Sequence, residues 1–540
     1  MHRVFLVAEL LDNIFTHVVG HQSSFHRNAS WDYGVKSSDY RVHRDIKALR
    51  RTATIFRELC LNALWRLQYS LIPLFGIVGL LSDESDETNY EVIRRDLSPD
   101  DLPVLMYYSS RIFFLHLVGE YSSHPSLRGK FRFDDSLLSH LIFPKLQHFG
   151  EDEHPNLTQF IIATSRNITS LNLTRSPSPC IIHLLHSNAS SLTNLMIDAK
   201  ESDSEITPSQ AEDIGRLVQG VPLLQSLWIY TSFPINLRPI WKSLHQLRNL
   251  THLYLELSTD VEILPIPFHT TFSALITLDI FFPKIQQMVD LFSLCTFTSL
   301  TSVMLNLEGY YFEQPLQTVV AALFSAIARS ITSPTFKDIH FTTLAVHSEN
   351  HHLETDPPAR ISSDHLRPLL ALSKSLRSLL VDMHWLWDLD DRLICDMASA
   401  WPGLETLAFM ATEHWVTPSR VTLRGLEALS RCCPRLRHLD IAFDGSLVDV
   451  IETPLTRRAQ LNNTLVYLSV GCSVVDSPDL LAARLISLFP SLEQVCPYRC
   501  KGETRDEDLA NEAIVEAWGK VQNQITLLNR RSAAIKPTQN

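Results

Sequence analysis

The sequence predicts an α/β fold. Short strands alternate with helical or irregular returns, the strands stack into one parallel, concave sheet, and a small helical segment stands in front. Three observations predict this. Apolar residues recur at i, i+3 and i+5 along most of the chain. A short apolar–Pro–x–Leu signature precedes that pattern in five places. The composition can fill a large core, with 45% hydrophobic residues, 16 Gly and 28 Pro spread over 540 residues, which excludes a collagen-like, low-complexity or globally disordered chain.

The triads read Ile112/Leu115/Leu117, Ile168/Leu171/Leu173, Leu192/Leu195/Ile197 and Leu224/Leu227/Ile229. They continue as Leu250/Leu253/Leu255, Leu275/Leu278/Ile280, Leu300/Val303/Leu305 and Phe336/Ile339/Phe341. The last are Leu376/Leu379/Val381, Leu404/Leu407/Phe409, Leu436/Leu439/Ile441 and Leu465/Leu468/Val470, with a partial Leu492/Val495. Alternating apolar positions are strand-like, because successive side chains of a strand point to opposite faces. The starts at 250, 275 and 300 lie 25 residues apart, and the others from 168 onward 24 to 40.

The Pro signature stands at Phe143-Pro144, Val221-Pro222, Trp401-Pro402, Cys433-Pro434 and Phe489-Pro490. Amphipathic stretches precede several of them, at 211–219, 423–431 and 480–488. Pro has no N–H and forces the residue before it out of the helical region, so it ends a helix just ahead of each strand.

On these residues the chain resembles the leucine-rich-repeat family over 112–503, whose units of ~20–29 residues pair a strand with a helix or an irregular return. It departs from that family at i+8. The usual Asn or Cys is replaced by Ser176, Lys200, Ser232, Ser258, Pro283 and Glu308, which predicts irregular repeats. An ordinary α/β domain with Leu-rich strands is the alternative.

Residues 4–18 place apolar side chains at 7, 10, 11, 14, 15 and 18 on one helical face. Residues 46–67 carry apolar stripes for one or two more helices, and the His-, Ser- and Asp-rich stretch at 19–44 reads as an exposed loop. Leu6, Glu9, Leu10, Leu11, Ile14 and Phe15, followed by Phe56, Leu59, Leu64, Trp65 and Leu67, resemble an F-box over roughly the first 70 residues. The layout is similar to that of many fungal F-box proteins with leucine-rich repeats. Two features depart from the pattern: Ala8 stands where Pro is expected, and the loop is long. The resemblance implies docking on a Skp-type adaptor and, through it, a cullin complex, with the repeats capturing a protein for ubiquitin transfer. Leu6, Glu9, Leu10, Leu11, Ile14, Phe15, Phe56, Leu59, Leu64 and Trp65 are then the adaptor-binding candidates. The alternative is that these helices only cap the first repeat, since an open solenoid end needs a cap.

The expected organisation is therefore an F-box-like segment at 1–70, a lead-in at 71–111 with an acidic linker at 82–89, and the repeats at 112–503. A capping helix at 504–530 and a disordered tail at 531–540 complete it.

A net charge of −12, from 47 basic and 59 acidic residues, gives no footprint for nucleic acid or an anionic membrane. The nine Cys form no CxxC pair, which fits reduced thiols in the cytoplasm or nucleus. Glu9 and Asp12 interrupt any secretory signal. The longest uncharged apolar runs, 71–81 and 318–328, fall short of the ~20 residues of a membrane span. Phosphate loops, HExxH and GxSxG are absent from the sequence. The expectation is a non-enzymatic protein with neither cofactor nor metal.

In a leucine-rich solenoid the i, i+3 and i+5 residues face the core, and i+2, i+4 and i+6 face the open side of the sheet. That rule sets Trp228, Tyr254, Asp279 and Met304 in one row and Tyr230, Glu256, Phe281 and Asn306 in the next. Aromatic residues there match the preference of binding hot spots. Trp228, Tyr230, Tyr254, Glu256, Asp279 and Phe281 are the candidate substrate-binding residues, biased toward a partner with positive charge.

Overall fold

The computed structural model describes residues 57–81, 90–117, 126–128, 131–151, 155–188, 191–198, 208–230, 237–256, 269–282, 284–308, 316–344, 360–383, 385–409, 419–446, 464–471, 473–497 and 505–535. The chain divides into two compact units, residues 1–230 and 231–540.

In the first unit, helix α1 (Arg57–Arg66) runs directly into strand β1 (Leu67–Gln68). Helix α2 (Leu102–Ser109), β2 (Phe114–His116) and β3 (His148–Gly150) follow. The unit continues with α3 (Pro155–Ala163), β4 (Ser170–Leu173), α4 (Pro179–Asn188), β5 (Asn194–Asp198), α5 (Pro208–Gln219) and β6 (Ser226–Tyr230). The six strands pair in parallel in chain order.

The second unit repeats the plan. Its sheet strands are β7 (His252–Glu256), β8 (Thr277–Phe282), β9 (Ser302–Glu308), β10 (Asp338–Leu344) and β11 (Ser378–Asp382). They continue as β12 (Thr406–Phe409), β13 (His438–Asp440), β14 (Tyr467–Gly471) and β15 (Gln494–Pro497), again parallel and in order. The returns hold α6 (Leu237–Leu244), α7 (Ile285–Leu294), α8 (Leu316–Ser330), α9 (Asp391–Ala400), α10 (Leu423–Cys432) and α11 (Pro478–Leu488). Long helix α12 (Arg505–Ile535) ends the described chain. Each unit is thus an α/β solenoid of the leucine-rich-repeat type.

The triads make the core. Leu224, Leu227 and Ile229, then Leu275, Leu278 and Ile280, and so on along both sheets, are buried. At ~25 cal/mol per Å², burying each Leu or Ile side chain contributes about 1.5–3 kcal/mol, the driving force for stacking repeats that cannot bury a face alone.

The five Pro signatures all form one device. The carbonyls of Phe143, Val221, Trp401, Cys433 and Phe489 accept the N–H of Leu146, Leu224, Leu404, Leu436 and Leu492 at 3.0–3.3 Å. Pro occupies the second position of this turn, where its fixed φ is favourable. In three cases the apolar residue also closes the preceding helix: Trp401, Cys433 and Phe489 donate their N–H groups to Met397, Leu429 and Leu485. One dipeptide therefore stops the helix, turns the chain and delivers the first Leu of the triad to the core.

The missing i+8 Asn has substitutes. Short parallel pairs join successive returns, Thr270–Phe272 with Cys295–Phe297 and Arg360–Ser362 with Leu386–Asp388. Asp391 accepts the N–H groups of Thr422 (2.7 Å) and Gly425 (3.1 Å) and the Thr422 hydroxyl. Ser473 Oγ accepts the Phe443 N–H at 2.8 Å and donates to the Val470 carbonyl. Buried backbone groups need partners, and here carboxylates and hydroxyls bridge the repeats.

Helix α12 covers the outer edge of β15. Trp518, Val521 and Ile525 are buried, and Trp518 Nε1 donates to the Ser473 carbonyl at 2.8 Å. Gln522 Oε1 accepts the Val495 N–H (2.6 Å), while its Nε2 donates to the Glu493 carbonyl (2.9 Å). The helix extends through Ile535, beyond the 504–530 span expected for it and into part of the stretch expected to be a disordered tail. Arg530, Arg531, Ala533 and Ala534 are good helix formers.

Candidate protein-binding face

Alternation on the strands gives each sheet one face toward the helices and one away from them. In the second unit the register fixes three rows on the away side. The middle row places Tyr254 beside Asp279 and Asp279 beside Met304; the next places Glu256 beside Phe281 and Phe281 beside Asn306. Tyr254, Glu256, Asp279 and Phe281 are all half-buried, and Met304 is exposed. The Tyr254 and Phe281 ring centroids lie 5.8 Å apart, and Tyr254 Oη donates to Glu256 Oε2 at 2.8 Å. Among the described residues Asp279 makes no ion pair or side-chain hydrogen bond, and burial alone lifts its pKa from 3.8 to about 6.

The same face continues over residues that the sequence reading passed by. Asp338, Asp382 and Asp440 stand on it, and with Glu256 and Asp279 they make five carboxylates in the three rows. Those rows contain no Lys or Arg among the described residues. His252, His340 and His438 share the face, and burial lowers the pKa of each, so they stay neutral near pH 7. The signal for these residues was present: Asp338 and His340 are i+2 and i+4 of the Phe336 triad.

In the first unit, Trp228 and Tyr230 stand half-buried on the away face of β6. Trp228 Nε1 donates to Ser226 Oγ at 2.7 Å, and the two rings lie 6.5 Å apart. Phe114 and His148 stack at 4.2 Å on the same face. The six candidate residues thus fall on two units, two in the first and four in the second.

Of the adaptor-binding candidates, Leu6, Glu9, Leu10, Leu11, Ile14, Phe15 and Phe56 lie outside the described residues. Leu59 lies within α1. Leu64 and Trp65 are 8% and 7% exposed, and Trp65 packs its ring 4.9 Å from that of Tyr108. Glu58 anchors the same helix, pairing with Arg111 at 2.6 Å and accepting the Tyr107 hydroxyl at 2.9 Å. The Leu64 and Trp65 side chains are therefore largely buried.

The remaining chemistry is quiet. Among the described residues no group of three His, Cys, Asp or Glu is placed to hold a metal, and no helix is long and apolar enough to cross a membrane. Burial pushes the Cys433 thiol up to about 12, and Cys295 higher still, so neither is a thiolate near neutral pH.

These features define a class: α/β repeat proteins whose sheets present a face free of the helical returns. No protein-family model and no curated protein matches the chain. Among solved structures, a chain of the yeast Rad7 and Elc1 complex is 12% identical over 87% of this chain and 97% of its own, with a TM-score of 0.30. A Bacteroides fragilis protein is 11% identical over 62% of this chain and 66% of its own, with a TM-score of 0.23. At those scores neither likeness carries an argument.

Proposed function

We propose that this chain is a non-enzymatic protein-recognition subunit that captures a protein on its repeat face and recruits it to an SCF-type cullin ubiquitin ligase. The observation that carries the recognition half is the acidic and aromatic face of the second unit, held on rigid parallel strands. Precise side-chain placement on regular elements is what a binding site requires. The ligase half rests on the F-box resemblance of Leu6, Glu9, Leu10, Leu11, Ile14 and Phe15, whose spacing predicts a helical face suited to insertion in an apolar groove of a Skp-type adaptor.

The second reading is a scaffold without a ubiquitin role, its N-terminal helices acting as a cap. The burial of Leu64 and the packing of Trp65 on Tyr108 of α2 favour it for α1. Purified Skp-type adaptor separates the two. The ligase reading expects co-purification with wild type and its loss in Leu10→Asp/Phe15→Asp. Folded wild-type protein that leaves the adaptor in the flow-through sinks the ligase reading and leaves the scaffold.

A further inference from the structure

We infer that Tyr254, Glu256, Asp279 and Phe281, with the side-chain amide of Asn306, seat a cationic side chain carried on an extended segment of a partner protein. The inference rests on the reading that the repeat face captures a protein, and it names the chemistry of what is captured.

Two rings and two carboxylates occupy the corners of a checkerboard. Parallel register sets Asp279 beside Tyr254 and Glu256 beside Phe281, and each ring has a carboxylate two residues along its own strand. Strands lie ~4.8 Å apart and alternate residues ~6.6 Å apart, a spacing that admits one guanidinium or ammonium head. Ring faces attract cations, and more strongly where water is partly excluded. Asp279 is half-buried and has neither ion pair nor side-chain hydrogen bond among the described residues. A carboxylate in that position wants a positive charge.

Asn306 is the second, independent observation. It stands beside Phe281 in register and is 4% exposed. Its Oδ1 takes the Thr342 hydroxyl, and its Nδ2 has no partner. Buried donors are nearly always satisfied. That N–H is closed off from solvent, so an occupant answers it only by turning the Asn306 side chain toward the face, which a backbone carbonyl can do and a bare metal ion or small ammonium cannot. Among the described residues the three rows hold carboxylates and no Lys or Arg, so a basic segment meets charge of one sign within them.

The test uses the full chain and a fluorescent Gly-Arg repeat peptide, with the same peptide built from neutral citrulline as its partner probe. The arginine peptide should bind, and the citrulline peptide at least tenfold more weakly. Asp279→Asn/Glu256→Gln should weaken arginine-peptide binding at least tenfold, and Tyr254→Leu several-fold. Circular dichroism and the thermal midpoint of each variant establish that loss of binding is not loss of fold. Equal affinity for the two peptides overturns the cation seat, as does unchanged affinity in the folded double variant or no binding of the arginine peptide. Adaptor co-purification reads the ligase proposal separately, so either can fail alone.

Discussion

Asp279 is a single residue that works against the stability of the fold. Its neighbours on β7 are His252, Tyr254 and Glu256, and on β9 Met304, so no cation faces it from either strand. His252 is kept neutral by its own burial. The folded pKa of about 6 lies above the 3.8 of the unfolded chain, so the folded state binds more protons between those values. The cost is absent below about pH 4 and complete above about pH 6, with an upper bound of about 3 kcal/mol from 1.36 kcal/mol per unit. Asp279→Asn should therefore stabilise the second unit by about 1–3 kcal/mol at pH 7.5 and have little effect at pH 4. Urea denaturation at the two pH values checks this; a variant no more stable than wild type at pH 7.5 would refute it.

At the scale of elements, most of the fold was legible because apolar triads and Pro turns are local signals. The triads located strands even across the 40-residue gap from 336 to 376. Two strands of the large sheets lacked a full apolar triad, although the Phe143-Pro144 signature marked the first of them. At His148–Gly150 the triad is Leu146, Phe149 and Glu151, and a buried acid fills the last core position. At Leu67–Gln68 the strand follows a helix without a break, so its residues read as the end of the helical pattern. The candidate face was half legible. Spacing assigned residues to rows, but burial of Asn306 and isolation of Asp279 depend on neighbours that only folding brings near. Helix α12 gives a further expectation. Trp518→Ala should destabilise by about 3–5 kcal/mol through the cavity it leaves. Gln522→Ala should cost about 1–3 kcal/mol by orphaning the Val495 N–H. Equilibrium denaturation orders the two, and a neutral Trp518→Ala would contradict the packing described.

At the scale of the molecule, each sheet grows by adding one strand beside the last, so stability within a unit is a sum over neighbours. Leu407→Ala in β12 should cost about 2–5 kcal/mol. Amide exchange should rise first in β11, β12 and β13, which pair with one another, and least in β7. A uniform rise across the second unit would instead mark it as one cooperative block. Growth by addition also raises the question of what ends it. A bare parallel edge is a template, and the next strand need not come from the same chain. Head-to-tail addition of whole molecules does not close on itself and makes fibres. Gln522 occupies both the donor and the acceptor that such an addition would use. Its side chain terminates the ladder locally, one amide standing where the backbone of a next strand would pair.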